Sequence, residues 1–277
     1  VTKDMLSTSG NATEWLGDKN MGDPATLKNF VNLAINNYTA NYYFLALWDH
    51  GAGCMGLCFD STSSGDSLSL PELSQALSGL PVIMDVVLLD ACSMSMTEVA
   101  YQIKDYVNVV VGPEGLGWSP APYDDYLSRL TSNPSMLPSA FAEKVVTDYI
   151  DWCKLPQNAV ITNATMSATD LTKITSLMAS IDDFALKLNA TETPTYLSLL
   201  LASHEQIIQA RNLTEVYPGP YSGQFGYYID LYHFAQLINQ SVLDEELSNS
   251  ARQVMTALSV GNAIIVEADK NLPNSHG

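Results

Sequence analysis

The sequence predicts an α/β protein with a mostly parallel sheet flanked by helices and a helical C-terminal half. Three observations predict it. The apolar runs 43–48, 82–89 and 107–111 are short and continuous rather than alternating, which is how strands buried on both faces read. Segments of helical spacing separate these runs, the pattern of a parallel sheet with crossover helices. From about Lys154 onward the chain is mainly helical in its spacing.

Asp23-Pro24 reads as a helix start, with Asp23 as N-cap and Pro24 at the first helical position. Leu27, Phe30, Val31 and Ala34 follow as one buried stripe. The first strand, 43–48, ends in Asp49-His50-Gly51-Ala52-Gly53, a glycine-rich turn. Residues 54–68 read as a Ser/Gly/Asp loop. Ser69 and Glu72 then form a capping box that opens a short helix through about Leu77. The second strand, 82–89, ends in Asp90-Ala91-Cys92. A helix over 97–106 buries Val99 and Ile103, strand 107–111 follows, and 112–123 is a loop rich in Gly, Pro and aromatic residues. Further helices are expected over 170–186, 195–211, 230–239 and 244–258, with added strands near Val160 and Ile264. No repeat or linker divides the chain. Residues 1–153 form the α/β core, and 154–277 pack on the same domain as a helix-rich part.

Hydrophobic residues make up 47% of the 277 and charged residues 15%, which excludes a disordered or coiled-coil protein. No apolar run reaches the ~20 residues of a membrane span. Thirty acidic residues against twelve basic ones leave a net charge of -18. Nucleic acid is a poor partner for that surface, and cationic peptides or metal ions are better ones. Six Asn-x-Ser/Thr sites, at Asn11, Asn37, Asn163, Asn189, Asn212 and Asn239, lean weakly toward an exported protein.

Sites in parallel sheets form outside the carboxyl ends of the strands. Two strands here end in reactive residues followed at once by a turn, one delivering His50 and the other Cys92. If the strands are neighbours, an imidazole and a thiol meet at one sheet edge, as a Cys/His nucleophilic pair requires. The N–H of Gly51 and that of Cys92 are the natural donors for an oxyanion. The competing reading is plain: a cysteine at a strand end is commonly a small core residue, and a lone His there a hydrogen-bonding group.

The blocks WDHGAG, FDSTSSGDSLSLPEL and LLDACSMSMTEVAYQIKDY resemble the signatures of the clostripain-like cysteine peptidases, relatives of caspases, legumains and gingipains. WLGDKNMGDPATLKNFV resembles the lead-in to that family's histidine strand. The match is strong over about 15–127 and looser in ARNLTEVY and YYIDLYHFAQLI. The resemblance implies a caspase-like fold with His50 as general acid/base, Cys92 as nucleophile, and Gly51 and Cys92 as oxyanion donors. It puts Asp90 in the pocket for the residue before the scissile bond, where an Asp would pair with Arg or Lys. The residue itself agrees, because an Asp at a buried strand end has no place there unless paired. Glu114 and Trp118 are expected to line the same groove. The implied activity is endopeptidase cleavage after Arg or Lys in a secreted or cell-surface protein, with peptide substrates and an oligomeric state left open. No cofactor is required; calcium is implied by the family alone.

Several features depart from the family pattern. No Lys or Arg lies between Lys28 and Lys104, where family members are often cut for activation. Cys54 and Cys58 are expected to pack or to form a local disulfide, and VGPEGLGWSPAPYDDYL is less acidic than the family block. The opening VTKD and closing PNSHG resemble the interior of a longer chain. Residues 60–66 mimic half a calcium loop but reach Pro71 where a bidentate Glu belongs. His204, His233 and His276 read as structural. Two alternatives stand beside the peptidase: a latent or non-catalytic surface protein of this fold, and a peptidase with Asp or Asn specificity. A Ser hydrolase fits less well, because Ser93 and Ser95 lack a Gly-x-Ser-x-Gly elbow.

Overall fold

The computed structural model describes residues 17–191, 206–210, 216–217, 228–272 and 274–276. Helix α1 (Pro24–Asn37) starts as its sequence dictates, with the Asp23 carboxylate accepting from Ala25 N at 2.8 Å and proline at the first position. Its buried stripe is Leu27, Val31 and Ile35. Phe30 is instead 59% exposed, because a stripe centred on Val31 leaves its chain neighbour about 100° round the helix.

Strand β1 (Phe44–Trp48) pairs in parallel with β4 (Met84–Asp90), which pairs in parallel with β5 (Val107–Gly112). Between β1 and β4 lie the hairpin β2 (Leu57–Asp60) and β3 (Asp66–Leu68) and helix α2 (Leu70–Ser78). The Glu72 carboxylate accepts from Ser69 N at 3.0 Å, as the capping-box spacing predicts. Helix α3 (Thr97–Ile103) crosses from β4 to β5 and buries Val99 and Ile103. The hairpin corrects the expectation of a plain loop over 54–68. Its strands, of four and three residues, are too short to show periodicity. The Asp60 carboxylate, which takes Thr62 N, Thr62 Oγ1 and Ser63 N, ties its turn.

Two helices unassigned in the sequence reading follow β5: α4 (Tyr123–Ser132) and α5 (Pro138–Lys154). Strand β6 (Ala164–Asp170) runs antiparallel to β5. It begins four residues later than the expected strand near Val160, which is 79% exposed in the preceding turn. Helix α6 (Ile174–Thr191) follows, and the short pair β7 (Val216–Tyr217) and β8 (Tyr228–Ile229) leads to α7 (Leu231–Ser241), α8 (Glu245–Leu258) and β9 (Ile264–Lys270). Of the helix expected over 195–211, residues 206–210 are helical and the remainder lies outside the described residues.

The sheet order is β1-β4-β5-β6-β9. With β6 antiparallel to both neighbours, four of the five strands point the same way. Val87 and Leu89 of β4 enter a core shared with α1, α2, α3, α6, α7 and α8, while Val86 and Leu88 enter a second core under α5. Burial on both faces explains why these strands read as unbroken apolar runs.

Candidate active site

The register of β1 and β4 places the chemistry. Trp48 pairs with Asp90 at the carboxyl ends of the two parallel strands. Two residues beyond each end stand His50 and Cys92, so the in-register strands deliver both to one edge. The following residue, Gly51, packs directly on the cysteine: a Cβ there would stand 2.5 Å from Cys92 O and 2.9 Å from Cys92 N. No side chain fits, and glycine is required by close approach. An isolated antiparallel bridge joins Gly51 to Leu57. Its hydrogen bonds run from Cys58 N to His50 O at 3.1 Å and from Ala52 N to Gly56 O at 2.9 Å. The Gly51 N–H is neither of these donors.

Cys92 is half-buried, and the imidazole-bearing His50 is exposed. Gly117 N donates to Cys92 Sγ at 3.3 Å. The turn after Cys92 holds Ser93 at φ 60, a left-handed conformation that costs a non-glycine residue roughly 1–3 kcal/mol. Two backbone bonds impose it: Ser93 N to Gly115 O at 2.7 Å and Ser95 N to Pro113 O at 2.9 Å.

Asp90 is 3% exposed and accepts from Tyr123 Oη at 2.7 Å. Burial pushes its carboxyl above the ordinary value, and the Tyr123 hydrogen bond opposes that rise. Its cross-strand partner Trp48 is 62% exposed. Trp118 is anchored twice, its N–H on Tyr149 Oη at 2.7 Å and its Nε1 on Asn163 O at 2.7 Å. It therefore braces the loop that sets Gly117 against Cys92. Glu114 is not brought into this group. Its carboxylate accepts from Ser275 Oγ and lines a cavity of about 630 Å³ with Ser95, Tyr228 and Asp230, whose walls include neither His50, Cys92 nor Asp90.

Cys54 and Cys58 carry free thiols, the first exposed and the second buried. The expected alternative of a disulfide is thus replaced by packing for Cys58. Burial, with the nearby Asp49 charge, pushes that thiol up to about 12. His233 is buried in α7, His276 stacks on Tyr232 with ring centroids 4.3 Å apart, and His204 lies outside the described residues. The 60–66 turn does not fit calcium. Asp60 Oδ1 already takes three donors from its own turn and Oδ2 takes Met21 N at 2.9 Å. Among the described residues no cluster of three or more His, Cys, Asp or Glu side chains is placed to hold a metal ion, and no helix is long and apolar enough to cross a membrane.

Sequence reasoning misses Gly117, Tyr123 and Tyr228. They reach Cys92, Asp90 and Ala52 across 25, 33 and 176 residues of chain, and no local pattern marks such closures.

A five-stranded α/β sheet that carries an imidazole-bearing and a thiol-bearing residue just past two adjacent parallel strand ends defines the class of fold and site. Its family follows from comparison. The chain matches the clostripain family over residues 7–272 and belongs to that family. It is 24% identical to clostripain of Hathewaya histolytica over 287 residues, covering 90% of this chain and 53% of that protein. The chain thus spans about half the length of this curated relative. Its fold is similar to that of a secreted cysteine protease from Bacteroides thetaiotaomicron in complex with an irreversible peptide inhibitor. The TM-score is 0.64 at 20% identity, over 91% of this chain and 64% of that one. It is also similar to an inactive zymogen protease from Parabacteroides distasonis, with TM-score 0.61 and 18% identity over 94% of this chain and 66% of that one.

Proposed function

We propose that this protein is a cysteine endopeptidase that cleaves after Arg or Lys, with Cys92 as nucleophile and His50 as general acid/base. The observation that carries the reading is the in-register pairing of β1 and β4, with the Gly51 backbone seated on that of Cys92. The Cys92 thiol passes its proton to His50 and Sγ attacks the scissile carbonyl carbon. The N–H groups of Gly51 and Cys92 hold the resulting oxyanion. Protonated His50 gives its proton to the departing amine as the C–N bond breaks, leaving a thioester on Sγ. Water then loses a proton to His50 and adds to the thioester carbonyl, and Sγ departs and recovers the proton.

Asp90 gives the specificity. A buried carboxylate two residues from the nucleophile, with Tyr123 on one oxygen, has its other oxygen to offer a guanidinium or ammonium. The net charge of -18 gathers cationic substrates. We place the protein outside the cytoplasm, like the secreted protease of similar fold.

The test is turnover of fluorogenic peptides ending in Arg, Lys, Asp, Asn and Ala, beside a Cys92→Ala control. Turnover of Arg or Lys peptides that vanishes in the control is expected. Turnover of an Asp or Asn peptide instead would keep the dyad and remove the role of Asp90. Silence across the panel would favour a latent or non-catalytic member of the family over an active peptidase.

A further inference from the structure

The loop that carries His50 and Gly51 is tied down from the far end of the chain. Tyr228, the first residue of β8, donates from Oη to Ala52 O at 2.7 Å, across 176 residues of sequence. Ala52 O also takes Met55 N at 3.1 Å, which closes the short turn after it. The Tyr228 ring fills the space beside Gly53: a Cβ at Gly53 would stand 2.9 Å from two ring carbons and would collide with Met96 Sδ. Gly53 has φ 59, so both its conformation and its surroundings require glycine. Met96 lies four residues past Cys92, so Gly53 is flanked by the Tyr228 ring and by a side chain from the segment after the cysteine.

Gly51 sits between two anchors. On one side His50 O accepts from Cys58 N, a bond made within the loop's own hairpin. On the other, Ala52 is held by its own N–H on Gly56 O and, at its carbonyl, by Tyr228. Burial, and next the neighbouring Cys54, push the Tyr228 phenol up to about 12, so Oη remains a donor throughout the neutral range.

We propose that Tyr228 is a positioning residue for the peptidase site, fixing through Ala52 the direction in which the Gly51 N–H points. This rests on the peptidase reading and adds a residue to it. The hydroxyl acts on the oxyanion and not on substrate capture. Its loss therefore lowers kcat and leaves KM nearly unchanged.

The experiment compares wild-type protein with Tyr228→Phe, which keeps the ring against Gly53 and removes only Oη. Four readouts are needed: kcat and KM on the best peptide, amide exchange of residues 51–56, melting temperature, and the alkylation rate of Cys92 by iodoacetamide followed on its own peptide. Expected are a fall of about tenfold in kcat with KM within about twofold, exchange of 51–56 faster by about tenfold, and a nearly unchanged melting temperature. Alkylation keeps its rate, because a thiol attacking a free electrophile needs no donor from Gly51. An active enzyme in which Tyr228→Phe leaves kcat at the wild-type value overturns the proposal, whether or not the loop exchanges faster. A wild-type protein silent with every peptide removes the peptidase reading itself, and this inference with it.

Discussion

Gly51→Ala is the sharpest probe of the strand-end geometry. The added methyl would meet Cys92 O at 2.5 Å, Ala91 Cβ at 2.8 Å and Cys92 N at 2.9 Å. Two of these are backbone atoms and the third is a side chain with no torsion to turn, so nothing rotates away. To reach an ordinary contact of 3.4 Å the loop must retreat about 0.9 Å from the Cys92 carbonyl. His50 and the proposed oxyanion donor ride on the retreating side and Sγ on the other. A misplacement of about 1 Å costs on the order of 100-fold in rate, and overpacking costs about 1–3 kcal/mol of stability. At about 2–4 °C per kcal/mol, that is a fall of several degrees in melting temperature. The assay pairs kcat/KM on the best peptide with a melt of the same sample. An alanine variant with wild-type kcat/KM and wild-type melting temperature would refute the reasoning, since the two strand ends could not then be in contact.

Asp90→Asn is expected to separate stability from function. Breaking a buried pair by removing one partner costs about 3–5 kcal/mol, so kcat/KM for Arg and Lys peptides should fall about 10²–10⁴-fold, with neutral residues unaffected. Stability moves the other way. Asp90 has a folded value raised above 3.8, so its stabilising contribution is complete below 3.8 and is lost as pH rises through the raised value. The Asn variant should therefore melt higher than wild type at pH 7 and equal to it below about pH 4; a variant that melts lower at pH 7 would contradict the assignment. Thiol titration checks the cysteines. Native protein should show two accessible thiols, exposed Cys54 and half-buried Cys92, and denatured protein all four. Two missing on denaturation would mean a Cys54–Cys58 disulfide after all.

Much of this was legible in the sequence for a physical reason. A strand buried on both faces must be apolar throughout, so β1, β4 and β5 announce themselves within a residue or two of their true bounds. The reactive residues are equally visible, because they lie where such runs break off. His50 and Cys92 each stand two residues past a strand end. What stays hidden depends on closure over distance. The hairpin β2–β3 is set by Asp60 gathering four donors rather than by periodicity. Glu114 sits beside the site in sequence and still turns its carboxylate to Ser275, near the other end of the chain. Phe30 fits a helical stripe on paper and misses the real one by one position.

The segment 113–118 shows how the unforeseen elements reach the chemistry. Gly115 O and Pro113 O hold the Ser93 turn in its left-handed form. Glu114 N and Gly115 N donate to Thr165 Oγ1 of β6, and Trp118 N to Tyr149 Oη of α5. Trp118 Nε1 adds Asn163 O just before β6. Between these fixtures Gly117 N is left facing Cys92 Sγ. The donor that faces the sulfur is thus set in place by α5 and β6. The strand ends select which residues share the edge, while the second core under α5 sets the surroundings of the sulfur. A fragment ending at β5 would carry both His50 and Cys92 and lack the braces that hold the turn after the cysteine.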